Sequence, residues 1–248
     1  MDSSHHSFFQ KNKIYTQQLN RLPSLTMSDE EIALWMLQGG HGDWIELDLQ
    51  INTSSWIAEY HTVQDMFVPH RDIDSGEGTH QGWSACTLHG ISYDKTNVWQ
   101  EYGYKTEPEY NWTQAGKKCP SIKSAFESLP AEHLARVRFM KLDAGGWISP
   151  HNDLGPGINW NKIFDYPLPM TIAVDHPQEC YMTLENRGVV PFKNNKAFLV
   201  NILNNHSVIN FSKQDRIHVI GHLFVGNRKK EYCKLLADSY RKSYVLQR

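Results

Sequence analysis

Ala135-Arg136-Val137-Arg138-Phe139-Met140-Lys141-Leu142-Asp143-Ala144-Gly145-Gly146-Trp147-Ile148-Ser149-Pro150-His151-Asn152-Asp153 is the stretch on which both the fold and the chemistry of this chain turn. Its first eight residues alternate basic and apolar side chains, the period of a strand with one buried face. Asp143-Ala144-Gly145-Gly146 is expected to break that strand, and Trp147 to Pro150 carry the chain on to His151 and Asp153. In an extended segment residues i and i+2 point the same way. His151 and Asp153 can therefore offer an imidazole and a carboxylate to one metal ion while Asn152 turns aside.

A third ligand is available downstream. Ala197 to Leu203 is an apolar, strand-like run, Asn204-Asn205 signals a turn, and His206 opens the next strand-like segment. Two imidazoles and one carboxylate on a single face leave three positions open, the arrangement that suits non-haem Fe(II) oxygenases; a keto acid and dioxygen (O2) would take those positions. After the polar turn Ser212-Lys213-Gln214-Asp215, Arg216, His218 and Ile220 share one face of a further run. An inward Arg216 would be a buried cation in need of an anion. A guanidinium fork grips a carboxylate through two parallel charge-assisted hydrogen bonds, so the far carboxylate of 2-oxoglutarate meets that need. A surface His-x-Asp pair and a solvated strand arginine are the plain alternatives for either motif alone, and their conjunction favours a site.

From Arg136 to Val225 the chain resembles the aspartyl/asparaginyl β-hydroxylase family of Fe(II)/2-oxoglutarate oxygenases. The motifs that carry the resemblance are Arg138-Phe139-Met140-Lys141-Leu142 with Gly146 and His151-Asn152-Asp153, then His206-Ser207-Val208-x-Asn210 and Arg216-Ile217-His218. It implies a mainly β fold with flanking helices: a double-stranded β-helix (jelly-roll, cupin-like barrel) with the metal near one mouth. It carries iron ligation onto His151 and His206 and co-substrate anchoring onto Arg216. Asp153 places the chain with the bacterial branch that has a full triad and includes proline hydroxylases, because the animal members that modify epidermal-growth-factor-like domains lack this carboxylate. The activity implied is hydroxylation of an unactivated C–H of an amino acid, free or within a peptide, with release of succinate and CO2. One departure concerns the co-substrate. Many members carry an Arg-x-His pair on the next strand, and Asp165 to Ile172 has no counterpart, which leaves His218 as a candidate to compensate.

The 248 residues suffice for one catalytic domain with a sizeable core. A helix-rich part is expected over 1–134, the jelly-roll core over 135–226 and a C-terminal helix over 227–248. A formal net charge of -2 gives no reason to expect nucleic acid or an anionic membrane as partner. No apolar run is long enough to span a bilayer, the polar start is unlike a signal peptide, and the four scattered cysteines read as reduced thiols, so a cytoplasmic protein is expected.

Helix signals crowd the first half. Ser28 and Glu31 form a capping box ahead of Ile32, Trp35 and Met36, Ser54-Ser55 is read as the cap of a helix with Trp56, Tyr60 and Val63, and a third helix follows Pro120. Glu59 and His61 diverge on the second of these and are set aside as a ligand pair, and no metal-ligand spacing is read for His176 or His222. Segment 68–112 contains a loop rich in Gly, Asp and His, then a strand over Trp83–Gly90. Its candidates for the substrate side are His70, Arg71, Trp83, Thr87 and His89, with Arg138 beside them; a surface loop feeding an edge strand is the equal alternative. From Lys229 to Tyr244, Tyr232, Leu235, Leu236 and Tyr240 form a stripe that packs on the barrel or makes a homodimer contact.

The expected substrate is a small polar molecule, an amino acid or a peptide. Two other classes of function stay open on the same residues: a cupin-type metal enzyme that does not use 2-oxoglutarate, and a non-catalytic barrel that binds metal or a small molecule.

Overall fold

The expected core strand runs longer than the sequence suggests. In the computed structural model, which describes residues 4–16, 19–40, 42–70, 80–153 and 159–246, strand β5 spans His133–His151. Asp143 to Gly146 do not break it. They form a bulge: Trp83 pairs with Leu142 and Gln81 with Trp147, so one residue on the neighbouring strand faces four on β5. Gly145, with φ +73, supplies the left-handed backbone this corner needs, and Gly82 does the same opposite it with φ +71. The breaker signal is therefore a bend that aims the end of β5, and with it His151.

Around β5 the chain builds one 11-stranded sheet. Strand β3 (His80–Gly90) lies along one edge of β5, with β2 (Val68–Pro69) and β4 (Asn111–Trp112) beside it. The other edge of β5 is shared: β11 (Arg216–Phe224) pairs with its first half and β10 (His206–Asn210) with its second. Outward from β11 lie β6 (Leu168–Asp175), β9 (Ala197–Val200) and β1 (Trp44–Glu46); outward from β10 lie β7 (Cys180–Leu184) and β8 (Gly188–Val189). The assigned pairings are all antiparallel. This is a mainly β, double-stranded β-helix architecture with helices outside. The sheet reaches upstream of the expected 135–226 core, because β1 and β3 belong to it.

Strand alternation sorts the side chains into two apolar clusters. Leu142, Ile148, Ala173, Met182, Phe198 and Val208 fill the inside of the curved sheet. Val137, Phe139, Ile172 and Val219 face outward onto the helices. Helix α2 (Asp29–Leu37) opens on the expected capping box: Ser28 Oγ accepts from Glu31 N, and the Glu31 carboxylate accepts from Ser28 N. Helix α5 (Lys229–Leu246) packs on α2 and β1, burying Tyr232, Leu236 and Tyr240, so its stripe is covered within the chain.

Two local expectations change. Ser55 precedes α3 (Trp56–Val63) but makes no side-chain cap; Thr53 anchors that end instead, its carbonyl accepting from Trp56 N and its hydroxyl donating to Asn195. Glu59, set aside as a ligand, is buried because its carboxylate accepts from Ser121 N and Ile122 N at the start of α4 (Pro120–Glu127), where a negative charge is favourable. The N-terminal segment folds as a helix, α1 (Ser4–Asn12), that lays His5 on Trp147 and Phe9 on Tyr181.

Candidate metal centre and its cavity

His206 and His151 are direct cross-strand partners, one at the start of β10 and one at the end of β5. Their ring centroids lie 4.4 Å apart. Asp153 stands between them: His151 Nε2 is 3.4 Å from one carboxylate oxygen and His206 Nε2 is 3.7 Å from the other. One ligand atom from each residue falls within 4.8 Å of both others, the only such group of three among the described residues.

Each imidazole is oriented in the same way. His151 Nδ1 donates to the carbonyl of Ser149 at 2.8 Å, and His206 Nδ1 donates to that of Asn204 at 3.0 Å. With the proton held on Nδ1, the Nε2 lone pair of each ring points at the shared space, the usual way a protein prepares a metal-binding histidine. Burial pushes the pKa of His206 below its ordinary value, with Asp153 acting against it, which keeps the ring in the neutral form that binds metal. The turn behind His206 is clamped by buried Asp43, whose carboxylate accepts from Asn204 Nδ2 at 2.7 Å and whose carbonyl accepts from Asn201 N. Asn210 ties the other end of β10: its amide donates to the carbonyls of Leu142, Asp143 and Gln214. Part of the motif that reads as site is thus scaffolding.

Arg216 lies deep in the barrel, 4% exposed, next to Leu142 on β5. Its Nη2 donates to His218 Nδ1 at 2.8 Å, its guanidinium lies 5.8 Å from the Phe192 ring centroid, and its Nε has no partner. No carboxylate pairs with it among the described residues. A buried cation so placed is costly by itself and complementary to a carboxylate ligand. The donor set of the triad suits Fe(II), and the guanidinium suits a dicarboxylate co-substrate.

His218 continues inward. Because its Nδ1 accepts from Arg216, its proton sits on Nε2, which donates to His176 Nδ1 at 3.0 Å. Where the sequence offered no Arg-x-His pair, the end of β6 delivers His176, a residue that spacing alone could not connect to Arg216. Burial first, and then the Arg216 charge, push His176 down to about 3 and His218 well below the ordinary 6.5. Both rings are neutral in the folded chain, whereas the unfolded chain takes up protons below about pH 6.5. Stability is therefore whole above that value and falls as the pH drops through it toward the folded values. The unfolding free energy from urea titrations should decline between about pH 7.5 and about pH 5, by on the order of 2 kcal/mol per imidazole at the lower pH. A flat profile over that range would contradict neutral burial of these rings.

A cavity of about 380 Å³ opens beside Asp153. Of the expected substrate-side residues, His70, Trp83 and Arg138 line it; Trp83 also stands 6.4 Å from the His151 ring, and His70 packs edge-on against Trp83 at 4.4 Å. Thr87 and His89 lie elsewhere. The Thr87 hydroxyl is spent on the Lys95 carbonyl, and His89 packs against Trp112 beside a separate surface pocket. Arg71 falls outside the described residues. Arg136, His222 and Trp160 also line the cavity and were not singled out from sequence. For the first two the signal was there, since Arg136 and Arg138 alternate on β5 while His218, Ile220 and His222 alternate on β11.

Comparisons with known proteins give the chain its family. The family model described as aspartyl/asparaginyl beta-hydroxylase matches residues 58–224. Among solved structures, a Trichoplax adhaerens prolyl hydroxylase in complex with a hypoxia inducible factor oxygen degradation domain peptide fragment is similar with a TM-score of 0.50 at 10% identity, covering 81% of this chain and 92% of that one. A Pseudomonas putida prolyl-4-hydroxylase gives a TM-score of 0.44 at 12% identity over 77% and 97% of the two chains. A Burkholderia pseudomallei oxidoreductase of the 2OG-Fe(II) oxygenase family gives 0.42 at 11% over 84% and 93%. Among curated proteins no sequence matches the chain. No helix of the described residues is long and apolar enough to cross a membrane. With a family model matched over well more than half of its length, the chain belongs to the aspartyl/asparaginyl beta-hydroxylase family and is an oxygenase of the Fe(II)- and 2-oxoglutarate-dependent kind.

Proposed function

We propose that the chain, acting as one catalytic unit, hydroxylates an unactivated C–H of an amino acid, free or within a peptide, while 2-oxoglutarate and O2 are converted to succinate and CO2. The observation that carries this reading is the convergence of His151, Asp153 and His206 on one point, with ligand atoms within 4.8 Å of one another. When bound, iron and 2-oxoglutarate supply the oxygen activation and the C–H chemistry, which belong to the cofactors. The protein's part is holding, orienting and shielding. His151, Asp153 and His206 grip the metal from one face, and the carbonyls of Ser149 and Asn204 fix both imidazoles. Arg216 receives the far carboxylate of 2-oxoglutarate, and His218 holds the guanidinium in place. Trp83 and Met140 line the cavity beside Asp153, in which the substrate C–H is presented.

We place the protein in a reducing compartment, the cytoplasm, because all four cysteines are free and buried. The testing experiment is a succinate-release screen of amino acids and short peptides with Fe(II), 2-oxoglutarate and ascorbate. At least one substrate should stimulate succinate release in the native protein and none in His151→Ala. Equal release in that variant would remove the metal assignment, and metal-dependent turnover indifferent to 2-oxoglutarate would favour a cupin-type enzyme instead.

A further inference from the structure

The bond from Arg216 to His218 is the first of a row. A guanidinium has only donors, so His218 Nδ1 must accept from Arg216 Nη2 at 2.8 Å, and the proton of His218 is left on Nε2. That proton meets His176 Nδ1 at 3.0 Å. His176 in turn keeps its own proton on Nε2, and the backbone of Cys180 accepts a hydrogen bond from this ring. Every proton in the row is thereby directed away from Arg216, and the tautomer of His218 is decided by what His176 offers it. The row takes this form while both rings are neutral, as burial and the Arg216 charge keep them.

His176 is placed by two loops rather than by a strand. It follows β6 directly, its amide donates to Asn194 Oδ1 at 2.8 Å, and the amide of Cys180 donates to the Pro177 carbonyl at 3.1 Å, closing the turn behind it. Phe192, from the same loop as Asn194, packs against all three members of the row: its ring centroid lies 5.3 Å from that of His176, 4.7 Å from that of His218 and 5.8 Å from Arg216 Cζ. The guanidinium is thus set by a packed row whose middle ring, His218, is 0% exposed.

We propose, resting on the 2-oxoglutarate reading above, that His176 is a positioning residue for the co-substrate: by accepting from His218 it holds the Arg216 fork ready for the far carboxylate, and so sets the preference for a dicarboxylate keto acid. Without an acceptor at this place, the Nε2–H of His218 is buried and unsatisfied, or the proton moves to Nδ1 and opposes an N–H of the guanidinium. Either way the fork shifts.

The test measures binding rather than turnover, in the full chain loaded with Fe(II) under nitrogen. 2-Oxoglutarate and 2-oxobutanoate, a keto acid that lacks the far carboxylate, are titrated by calorimetry. The native protein should prefer 2-oxoglutarate by about a hundredfold or more. His176→Phe, which keeps a ring and removes the acceptor, should cut that preference about tenfold by weakening 2-oxoglutarate alone. His176→Asn, whose side-chain oxygen can stand in the place of Nδ1, should restore most of it. In an Arg216→Met background His176→Phe should change nothing further, because a positioning residue acts only through the group it positions. Equal weakening of both keto acids in both backgrounds would mean a merely structural role and overturn the proposal, as would a preference left intact in His176→Phe. Histidine nitrogen NMR of the native chain needs no variant, and so keeps the proposal testable should His176→Phe fail to fold. Both rings should carry their proton on Nε2, and a proton on His218 Nδ1 would overturn the proposal. No preference for 2-oxoglutarate in the native protein would remove the co-substrate reading and this proposal with it; a native preference that survives His176→Phe removes this proposal alone.

Discussion

Arg216→Met should raise the KM for 2-oxoglutarate by about a hundred- to a thousandfold, while leaving the metal-free protein as stable as before or more so. The two halves of this result have one cause. In the free protein Arg216 is a desolvated cation whose described contacts are His218, the Phe192 ring and no carboxylate, and whose Nε is unsatisfied. Replacing a poorly paired buried charge by an apolar side chain of similar size is neutral or stabilising. With 2-oxoglutarate bound, the same guanidinium would form a desolvated fork with a carboxylate. Losing one partner of such a pair costs about 3–5 kcal/mol, and each 1.4 kcal/mol is a factor of ten. Arg216→Lys separates charge from geometry: it keeps the cation, loses the fork, and should fall between the two. Steady-state kinetics and thermal melts with and without 2-oxoglutarate read both halves. An unchanged KM in Arg216→Met would detach this residue from the co-substrate, and a large loss of stability in the free protein would mean that the guanidinium is structural.

What the sequence disclosed follows from how local each signal is. His151 and Asp153 are two residues apart on an extended segment, so their common direction is a property of the strand and could be read directly. The contact of His151 with His206 is a cross-strand pairing of β5 with β10, a non-local fact; the sequence offered His206 as a third ligand at the head of a strand-like run, and the family resemblance agreed, but neither gave the pairing itself. The breaker reading of Asp143 to Gly146 went astray because a strand can absorb several extra residues as a bulge when both neighbours pair on either side of it. His176 was passed over for a related reason: it follows β6 rather than sitting within it, and its bond to His218 crosses from the end of one strand to the middle of another. Thr87 and His89 shared a strand with Trp83, but a register shift between Thr87 and His89 and the use of the Thr87 hydroxyl by Lys95 keep them off the cavity. Short-range chemistry was legible; what depended on register was not.

His206→Ala should weaken Fe(II) binding by at least about a hundredfold, the larger of the two metal-site effects argued here. His206 is 3% exposed, and its Nε2 is already directed at the shared point by the bond from Nδ1 to the Asn204 carbonyl. Removing it takes away one of the three ligands and leaves His151 and Asp153, two donors two residues apart on one segment that cannot by themselves define a face. Loss of an orienting partner alone typically costs 10- to 100-fold in metal affinity, so loss of the ligand sets a floor at the upper end of that range. Asp43→Asn offers the graded comparison. It keeps the size of the side chain but weakens the acceptor for Asn204 Nδ2, so the turn that presents the Asn204 carbonyl is loosened while the ligand remains. About a tenfold loss is expected there, provided the fold stands, which far-ultraviolet circular dichroism checks. Anaerobic iron titration by calorimetry ranks native, Asp43→Asn and His206→Ala in that order. If His206→Ala binds iron as the native protein does, the imidazole pairing across β5 and β10 is packing and not ligation, and the metal must be sought elsewhere.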